Sequence, residues 1–275
     1  MPGRVEGKVA FITGAARGQG RSHAVRLAEE GADIIAVDVP GDYDTVGYPM
    51  GTQAELDETV KAVEALDRRI VARAADVRDL AALKSVVDSG VAELGRLDIV
   101  CANAGICTVQ TWDEVTPQVW QDTLDTNLTG VWNSCVAAVP HLIAGGGGSI
   151  VCTSSTAGIK GLPFLAPYVA AKHGVVGVAR SLANELAKHH IRVNTVHPTG
   201  VDTPMVVGLG GVTPLLESDP NLGPIFMNTY PVEMVDAVDI SNAVLWLASD
   251  ESRFVTGMQL RVDAGGYLKW YDYHV

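Results

Sequence analysis

Short runs of apolar residues alternate along this chain with longer amphipathic segments. The short runs are apolar at nearly every position, as expected of parallel strands covered on both faces. We predict strands at residues 9–12, 33–37, 70–74, 97–101, 149–152, 192–196 and 259–262. We predict helices between them, including residues 20–30, 54–66, 80–94 and 118–143. The alternation predicts an α/β fold in which one doubly wound, seven-stranded parallel sheet carries helices on both faces.

Three segments depart from this alternation. Residues 39–52 follow the second predicted strand and form an inserted loop with two prolines, three glycines and two tyrosines. Residues 199–235 are rich in proline and glycine, and the apolar side chains among them favour a substrate lid over a packed irregular segment. Residues 266–275 hold four aromatic side chains, and we expect this tail to pack against a neighbouring subunit.

Composition narrows the classes of protein that fit. A length of 275 residues and an apolar fraction of 47% suit one domain, residues 1–275, with a large core. The net charge of −12 repels phosphate and anionic lipid, so we expect neither nucleic acid nor membrane partners. There is no secretion signal at residues 1–8 and no apolar run of the ~18 residues a membrane span needs. We therefore expect a cytoplasmic protein with no metal site and four reduced, buried cysteines, Cys101, Cys107, Cys135 and Cys152.

A glycine-rich turn between the first strand and the first helix is typical of a dinucleotide site. Glycines allow a tight turn and a close approach to a pyrophosphate, and the helix N-terminus offers free N–H groups. A lone glycine cluster is a weak signal, but its place in a strand–turn–helix unit strengthens it. The loop residues that we expect to contact the cofactor are Gly14, Arg17, Gly18, Gln19 and Gly20.

Asp38 ends the second strand, 18 residues after Gly20. A carboxylate there can accept hydrogen bonds from the adenosine ribose hydroxyls and repel the 2′-phosphate of NADP. Arg17 argues the other way, because a basic loop residue can pair with that phosphate. We expect Asp38 to prevail, since a buried like-charge contact costs more than one exposed arginine returns. The predicted cofactor is NAD.

Two further turns follow strands at the same edge of the predicted sheet. Asp76 and Val77 end the third strand, and Asn103, Ala104 and Gly105 end the fourth. Ligands of open α/β sheets bind at the carboxyl ends of strands. We therefore expect these five residues to contact the cofactor as well.

A tyrosine and a lysine four residues apart share one face of the helix that begins near Pro167. Alcohol oxidation needs a base for the hydroxyl proton, and Tyr168 suits this role if a nearby ammonium and the positive nicotinamide lower its pKa from ~10. Lys172 supplies an ammonium, and Ser155 can hold the substrate oxygen. Asn127 can relay protons to water through its carbonyl or local backbone. Each residue taken alone also fits an ordinary helix, capping or packing role.

With these residues in view, the chain resembles the short-chain dehydrogenase/reductase family over essentially its whole length. The resemblance lies in the Thr-Gly-x-x-x-Gly-x-Gly loop, the Asn-Ala-Gly turn, the four candidate catalytic residues and the turn at residues 198–200, all in family order. It implies a single Rossmann-type domain, a homotetramer, and cofactor contacts at Tyr168, Lys172, Pro198 and Thr203.

A narrower resemblance is to the carveol dehydrogenase-like, mycofactocin-coupled group of that family. It lies in residues 18–23, in the insertion after Asp38 and in the segment Tyr48-Pro49-Met50. It implies tightly held, non-exchanging NAD, electrons that leave through an external redox carrier such as mycofactocin, and a hydrophobic secondary alcohol on a terpenoid or alicyclic ring. The inserted loop is then expected to cover the cofactor.

Other interpretations stay open. A ketone reductase of acyl-carrier or steroid substrates is disfavoured by Asp38 and by the lack of a basic patch. A non-catalytic NAD-binding sensor is disfavoured by the four intact catalytic positions. His197 stands where the family often has asparagine, and we expect it to be a packed histidine at a strand end in preference to a substrate ligand.

Overall fold

The computed structural model describes residues 2–39, 41–217 and 219–269. Within them, seven strands form one sheet in the order β3-β2-β1-β4-β5-β6-β7, and every pair is parallel. The strands are β1 Val9–Thr13, β2 Asp33–Asp38, β3 Ile70–Ala74, β4 Ile99–Ala102, β5 Gly148–Thr153, β6 Ile191–Pro198 and β7 Gln259–Val262. The predicted seven-stranded parallel sheet is confirmed.

Helices cover both faces of this sheet. They are α1 Gly18–Glu29, α2 Gln53–Glu64, α3 Leu80–Leu94, α4 Pro117–Leu124, α5 Gly130–Ala144, α6 Ala166–Leu186, α7 Pro204–Gly208, α8 Thr213–Leu216 and α9 Ala237–Ala248. One apolar core lies beneath α3, α5 and α6, and a second lies beneath α1, α2 and α9. Strands β1, β2, β4 and β5 contribute side chains to both cores, which explains their runs of consecutive apolar residues.

Local sequence sets several helix starts. The Thr52 side chain accepts a hydrogen bond from the Glu55 amide while the Glu55 carboxylate accepts one from the Thr52 amide, so α2 begins with a capping box. The Thr116 side chain accepts a hydrogen bond from the Val119 amide and so caps α4, and Pro117 occupies the first turn, where its missing N–H carries no cost. These signals place the helix starts within one or two residues of the predicted positions.

The helix predicted at residues 118–143 is interrupted. Between α4 and α5, residues Asp125–Thr129 form a π-helical turn. The inserted residue turns the buried side chains of Thr126 and Asn127 toward the carboxyl edge of the sheet, where they bond to Tyr43 and Ile106. The sequence pattern does not reveal this turn, because one extra residue barely changes the apolar periodicity over 26 residues.

The order of the strands places a cleft at the carboxyl edge. The chain runs outward from β1 to β2 and β3, then returns to the other side of β1 with β4. The loops after β1 and β4 therefore diverge and leave a crevice between them, where ligands of such sheets bind.

The irregular segments contain short helices and a local apolar cluster. The inserted loop, of which Pro40 lies outside the described residues, forms a small apolar cluster of Tyr43, Val46, Tyr48 and Ile106. The segment 199–235 contains α7, α8 and a 3₁₀ helix, Pro220–Phe226, and its Ser218 lies outside the described residues. Residues 270–275 of the aromatic tail also lie outside them. In the described part of the chain, no helix is long and apolar enough to span a bilayer.

Candidate active site

The crevice between the β1 and β4 loops is lined by eleven of the residues that the sequence predicts for the cofactor. They are Gly14, Arg17, Gly18, Gln19, Asp38, Asp76, Val77, Asn103, Ala104, Gly105 and Thr203. Gly20 lies behind this wall, and Pro198 ends β6 without lining either of the two cavities described here. The structure thus brings together residues that are up to 189 positions apart in the sequence.

Two glycines of the loop have no tolerable replacement. Gly14 has φ +69°, and a Cβ there would lie 2.9 Å from the main chain of Ala104. A Cβ on Gly20 would lie within bonding distance of the Gly14 carbonyl oxygen, at 1.9 Å. These contacts keep the β1–α1 turn tight and the crevice open toward the N-terminus of α1.

Asp38 points its carboxylate into the crevice. Its Oδ2 accepts a hydrogen bond from the Ala16 amide at 2.7 Å, and its Oδ1 accepts one from the Val39 amide at 2.8 Å. Burial raises the pKa of Asp38, while these two amides and the nearby Arg17 oppose that rise. The carboxylate is therefore held in one orientation and keeps lone pairs for hydroxyl donors of a ligand.

Arg17 is engaged with the protein itself. Its guanidinium donates to the Pro49 carbonyl oxygen in the inserted loop and lies 3.7 Å from the Glu55 carboxylate. The cation that the sequence offered for a 2′-phosphate is thus already balanced by a carboxylate and tied to the loop. This arrangement removes the main argument against NAD.

Asn103 ties the ends of three neighbouring strands together. Its amide nitrogen donates to the Thr13 carbonyl oxygen at 3.1 Å, and its Oδ1 accepts from the Thr153 hydroxyl at 3.3 Å. The main-chain amides of Asn103 and Ala104 both donate to the Thr13 hydroxyl. The Asn-Ala-Gly turn is therefore a brace that fixes the floor of the crevice.

The inserted loop forms a wall of the crevice that the residue-level predictions did not include. Tyr43, Tyr48, Met50 and Gly51 line it, together with Ile106 and Thr126. Tyr48 is 5% exposed, and its hydroxyl accepts a hydrogen bond from the Cys107 amide at 3.1 Å. The presence of the insertion was the only sign of this wall in the sequence. Which of its side chains turn toward the crevice depends on contacts with residues that are distant in the sequence.

Ser155, Tyr168 and Lys172 meet beyond one end of the crevice. Tyr168 lies in the first turn of α6, and Lys172 follows one turn later with its Nζ 5.5 Å from the centre of the Tyr168 ring. Lys172 is 2% exposed, and its Nζ donates to the Thr153 carbonyl oxygen at 2.7 Å. The Ser155 side chain interacts with that of Tyr168. The predicted cluster is present as a geometric unit.

Burial dominates the pKa values of this cluster. Burial raises the pKa of Tyr168, the nearby Cys107 and Tyr48 raise it further, and only the interaction with Ser155 lowers it. Burial also lowers the pKa of Lys172 to about 8, so the ammonium persists at neutral pH and is lost as the pH rises above about 8. The predicted lowering of the Tyr168 pKa depends on the Lys172 ammonium and on the positive nicotinamide together, and it stays a prediction for the NAD complex.

Asn127 is locked to the main chain of Ile106. Its Oδ1 accepts from the Ile106 amide at 2.8 Å, and its Nδ2 donates to the Ile106 carbonyl oxygen at 2.7 Å. The carboxamide is fully buried and both of its ends are used. A proton relay at this position would therefore have to use the main chain of Asn127.

His197 is a packed histidine, as expected. It is fully buried, its Nδ1 lies 2.8 Å from the Ser155 carbonyl oxygen, and its Nε2 lies 2.7 Å from the Thr195 hydroxyl. Burial lowers its pKa to about 4, so it stays neutral and donates from Nδ1 to Ser155. His197 holds the main chain of Ser155 in place.

A second cavity of about 260 Å³ opens on the Tyr168 side. Ser155 and Tyr168 form part of its wall, and the segment 199–235 forms much of the rest. The apolar contributors from that segment are Met205, Val206, Leu209, Ile225, Phe226, Met227 and Met234. An apolar chamber therefore lies directly against the candidate catalytic side chains.

A family model and close relatives both match this chain. The family model described as short chain dehydrogenase matches residues 8–210. A (-)-trans-carveol dehydrogenase from Rhodococcus erythropolis is 54% identical over 97% of this chain and 99% of its own.

Two solved structures are equally close in fold. A short chain dehydrogenase from Mycobacterium paratuberculosis bound to NAD superposes with a TM-score of 0.93 at 51% identity, covering 97% of this chain and 100% of its own. A carveol dehydrogenase from Mycobacterium avium in complex with NAD gives 0.91 at 55% identity, with the same coverage.

Proposed function

This chain belongs to the short-chain dehydrogenase family, and on that premise we propose that it oxidises a hydrophobic secondary alcohol to a ketone with NAD. One observation carries the proposal. Ser155 and Tyr168 face an apolar chamber, while the crevice beside them presents the Asp38 carboxylate. The chamber suits an apolar alcohol, and the crevice suits a dinucleotide without a 2′-phosphate.

The crevice fits NAD on structural grounds. Asp38 offers a fixed carboxylate to the ribose hydroxyls, and the Gly14 turn leaves main chain accessible to a pyrophosphate. Gln19 lines the crevice, and its Oε1 is buried with no partner among the described residues, so it has an acceptor to offer a ligand. When bound, NAD supplies the acceptor for the hydride that leaves the alcohol carbon.

Tyr168 takes the role of general base. Its oxygen receives the hydroxyl proton of the alcohol, and Ser155 holds the substrate oxygen beside it. Because burial raises the pKa of Tyr168, the phenolate needs positive charge nearby; the Lys172 ammonium provides it when protonated. Asn127 keeps the Ile106 turn rigid and passes protons toward water only through its main chain.

The carveol dehydrogenases among the relatives favour a ring alcohol as substrate. The chamber agrees with this class, because its wall is mostly aliphatic and thioether side chains from the predicted lid, residues 199–235. A lid of this composition excludes water from the reacting atoms once it closes. We therefore propose an alicyclic or terpenoid secondary alcohol.

Contacts of the inserted loop support slow exchange of NAD. Arg17 and Tyr48 tie the loop to both ends of the crevice, and Tyr48 also packs so closely on α7 that a Cβ on Gly208 would lie 2.5 Å from it. Bound NAD would leave only if these contacts broke together. A dehydrogenase that keeps its NAD needs an external redox carrier, and we propose one of the mycofactocin type.

A homotetramer remains part of the proposal. Trp120 and Trp132, on α4 and α5, are 41% and 44% exposed. Aromatic side chains of this size are enriched in the buried centres of protein interfaces. We propose that these helices pack against a second copy of the chain.

One experiment tests the proposed function directly. The purified protein is denatured, any released nucleotide is identified, and the native protein is then offered alicyclic alcohols in single turnover. We expect released NAD, and one equivalent of reduced nicotinamide per site with a ring alcohol. Released NADP, or reduction only of ketones on an acyl carrier, would favour the reductase alternative.

A further inference from the structure

A lysine lies buried in the wall of the substrate chamber without a carboxylate partner. Lys160 is 3% exposed and shares the chamber with Ser155 and Tyr168. Its Nζ donates to the Ile225 carbonyl oxygen at 2.9 Å and to the Gly266 carbonyl oxygen at 2.8 Å. The proposed oxidation of a neutral alcohol makes no use of this cation.

The two carbonyl oxygens accept from only two of the three N–H donors of the Lys160 ammonium. An ammonium has three N–H donors, and no third acceptor for it is found among the described residues. It makes no ion pair with a described carboxylate, although the charge of Asp263 is near enough to raise the pKa of Lys160. Both carboxylate oxygens of Asp263 instead accept amide hydrogen bonds, from Gly265 and Tyr267.

Burial of an uncompensated cation is costly, and the fold would not need a charge here for support alone. Neutral amide side chains can hold two carbonyl oxygens equally well. An isolated ammonium removed from water costs several kcal/mol unless an anion or further acceptors compensate it. Glu233, the other charged residue in the chamber wall, has an exposed side chain.

We infer that the Lys160 ammonium binds a carboxylate on the substrate, remote from the hydroxyl that Tyr168 deprotonates. This inference rests on the proposed function and narrows it: the substrate class becomes ring alcohols that carry a carboxylate. The apolar wall packs on the ring, Ser155 and Tyr168 hold the hydroxyl, and Lys160 holds the anion. Two fixed polar ends also orient the ring in the chamber.

The test uses three cyclohexanols that differ only in the group opposite the hydroxyl: methyl, carboxamide or carboxylate. Binding is measured by calorimetry on NAD-loaded Tyr168→Phe protein, so that no turnover is needed. A charge-assisted hydrogen bond predicts that the carboxylate compound binds about 10- to 100-fold more tightly than the methyl compound. The carboxamide compound should fall between them.

Lys160→Met should then abolish this preference: binding of the carboxylate compound should fall about 10- to 100-fold more than binding of the methyl compound. Asn228→Ala is the matched control: Asn228 also braces the lid, through the Val232 and Glu233 carbonyl oxygens, but carries no charge. It should weaken all three compounds alike. If Lys160→Met does not fold, Lys160→Gln keeps amide donors for the two carbonyls and serves the same purpose.

The outcomes separate the inference from the proposed function. Two results would show that Lys160 only braces the lid. One is equal binding of the three compounds by the protein that retains Lys160. The other is an equal loss of affinity for all three compounds in Lys160→Met. Single turnover of neutral ring alcohols in that situation would leave the proposed function standing. Lys160-dependent binding of the carboxylate compound without turnover by the unmutated chain would support the inference and contradict the function.

Discussion

The hydroxyl of Tyr48 accepts a hydrogen bond from the main-chain amide of Cys107 at 3.1 Å. Tyr48 belongs to the inserted loop after β2, whereas Cys107 belongs to the loop after β4 that borders the catalytic cluster. One bond thus closes the crevice across its mouth. It makes the insertion a structural part of the candidate cofactor site.

Loss of this bond should speed release of NAD. Tyr48→Phe keeps the ring that packs on Gly208 and removes only the acceptor, which leaves the buried Cys107 amide unpaired. If the closed, NAD-bound state loses about 1 kcal/mol of stabilisation, NAD should be released roughly five-fold faster. The rate is measured by chasing bound, isotopically labelled NAD with unlabelled NAD.

Tyr48→Ala is the companion variant, because it also removes the buried ring. It should release NAD faster than Tyr48→Phe. Unchanged retention in both variants would mean that the inserted loop does not hold the cofactor.

Tyr168→Phe should stop the chemistry without emptying the crevice. The substitution keeps the ring and removes the oxygen that takes the proton, so turnover should fall about 10²- to 10⁴-fold. NAD content, measured on the denatured protein, should stay the same because Tyr168 lies beyond the end of the crevice. Near-normal single turnover would refute its role as base.

Asp38→Ala should narrow the preference for NAD over NADP. The variant loses an acceptor for the ribose hydroxyls and a repulsive charge against the 2′-phosphate, so the ratio of the two Kd values should shrink about 10- to 100-fold. An unchanged ratio in Asp38→Ala would exclude Asp38 from the ribose site.

His23 should make the fold sensitive to acid. It is fully buried between α1 and α9, its Nδ1 bonds to Ser241, and its Nε2 has no partner among the described residues. Burial lowers its pKa from 6.5 to about 3. The folded state therefore binds fewer protons than the unfolded state, and stability is lost as the pH falls from about 6.5 toward 3.

Urea unfolding at pH 6.5 and pH 5 measures this loss. The single group predicts that about 1–2 kcal/mol of stability disappears over that interval. His23→Leu fills the same space without a titrating group, so the part of the pH dependence due to His23 should vanish. Parallel pH profiles for the two proteins would contradict the assignment.

Removal of residues 268–275 tests the predicted role of the aromatic tail. Leu268 is 64% exposed, and an apolar tail of this kind favours burial against a second subunit. We expect a smaller assembly by light scattering, or weaker substrate binding. The Gly266 carbonyl that holds Lys160 is retained, so the chamber itself is unchanged. Identical size and kinetics would remove the tail from the interface.

The fold and most residues of the crevice were predictable from the sequence because both depend on short sequence patterns. Strand-length apolar runs and capped helices predicted the sheet, and the glycine loop, Asp38 and the Asn-Ala-Gly turn predicted the cofactor wall. Tyr168 and Lys172 were predictable as a pair because four residues make one helical turn. Each of these inferences needs only the residues within one element and its neighbours.

Only the tertiary structure decided which residues from distant segments meet. It placed Tyr48 on Cys107, tied Arg17 to Pro49 and Glu55, and bound Asn127 to Ile106 through a π-helical turn that periodicity does not show. It also showed that burial raises the pKa of Tyr168 in the chain by itself, because desolvation depends on what surrounds the phenol in space. The sequence determined the kinds of groups available; burial and long-range contacts determined their charge states and partners.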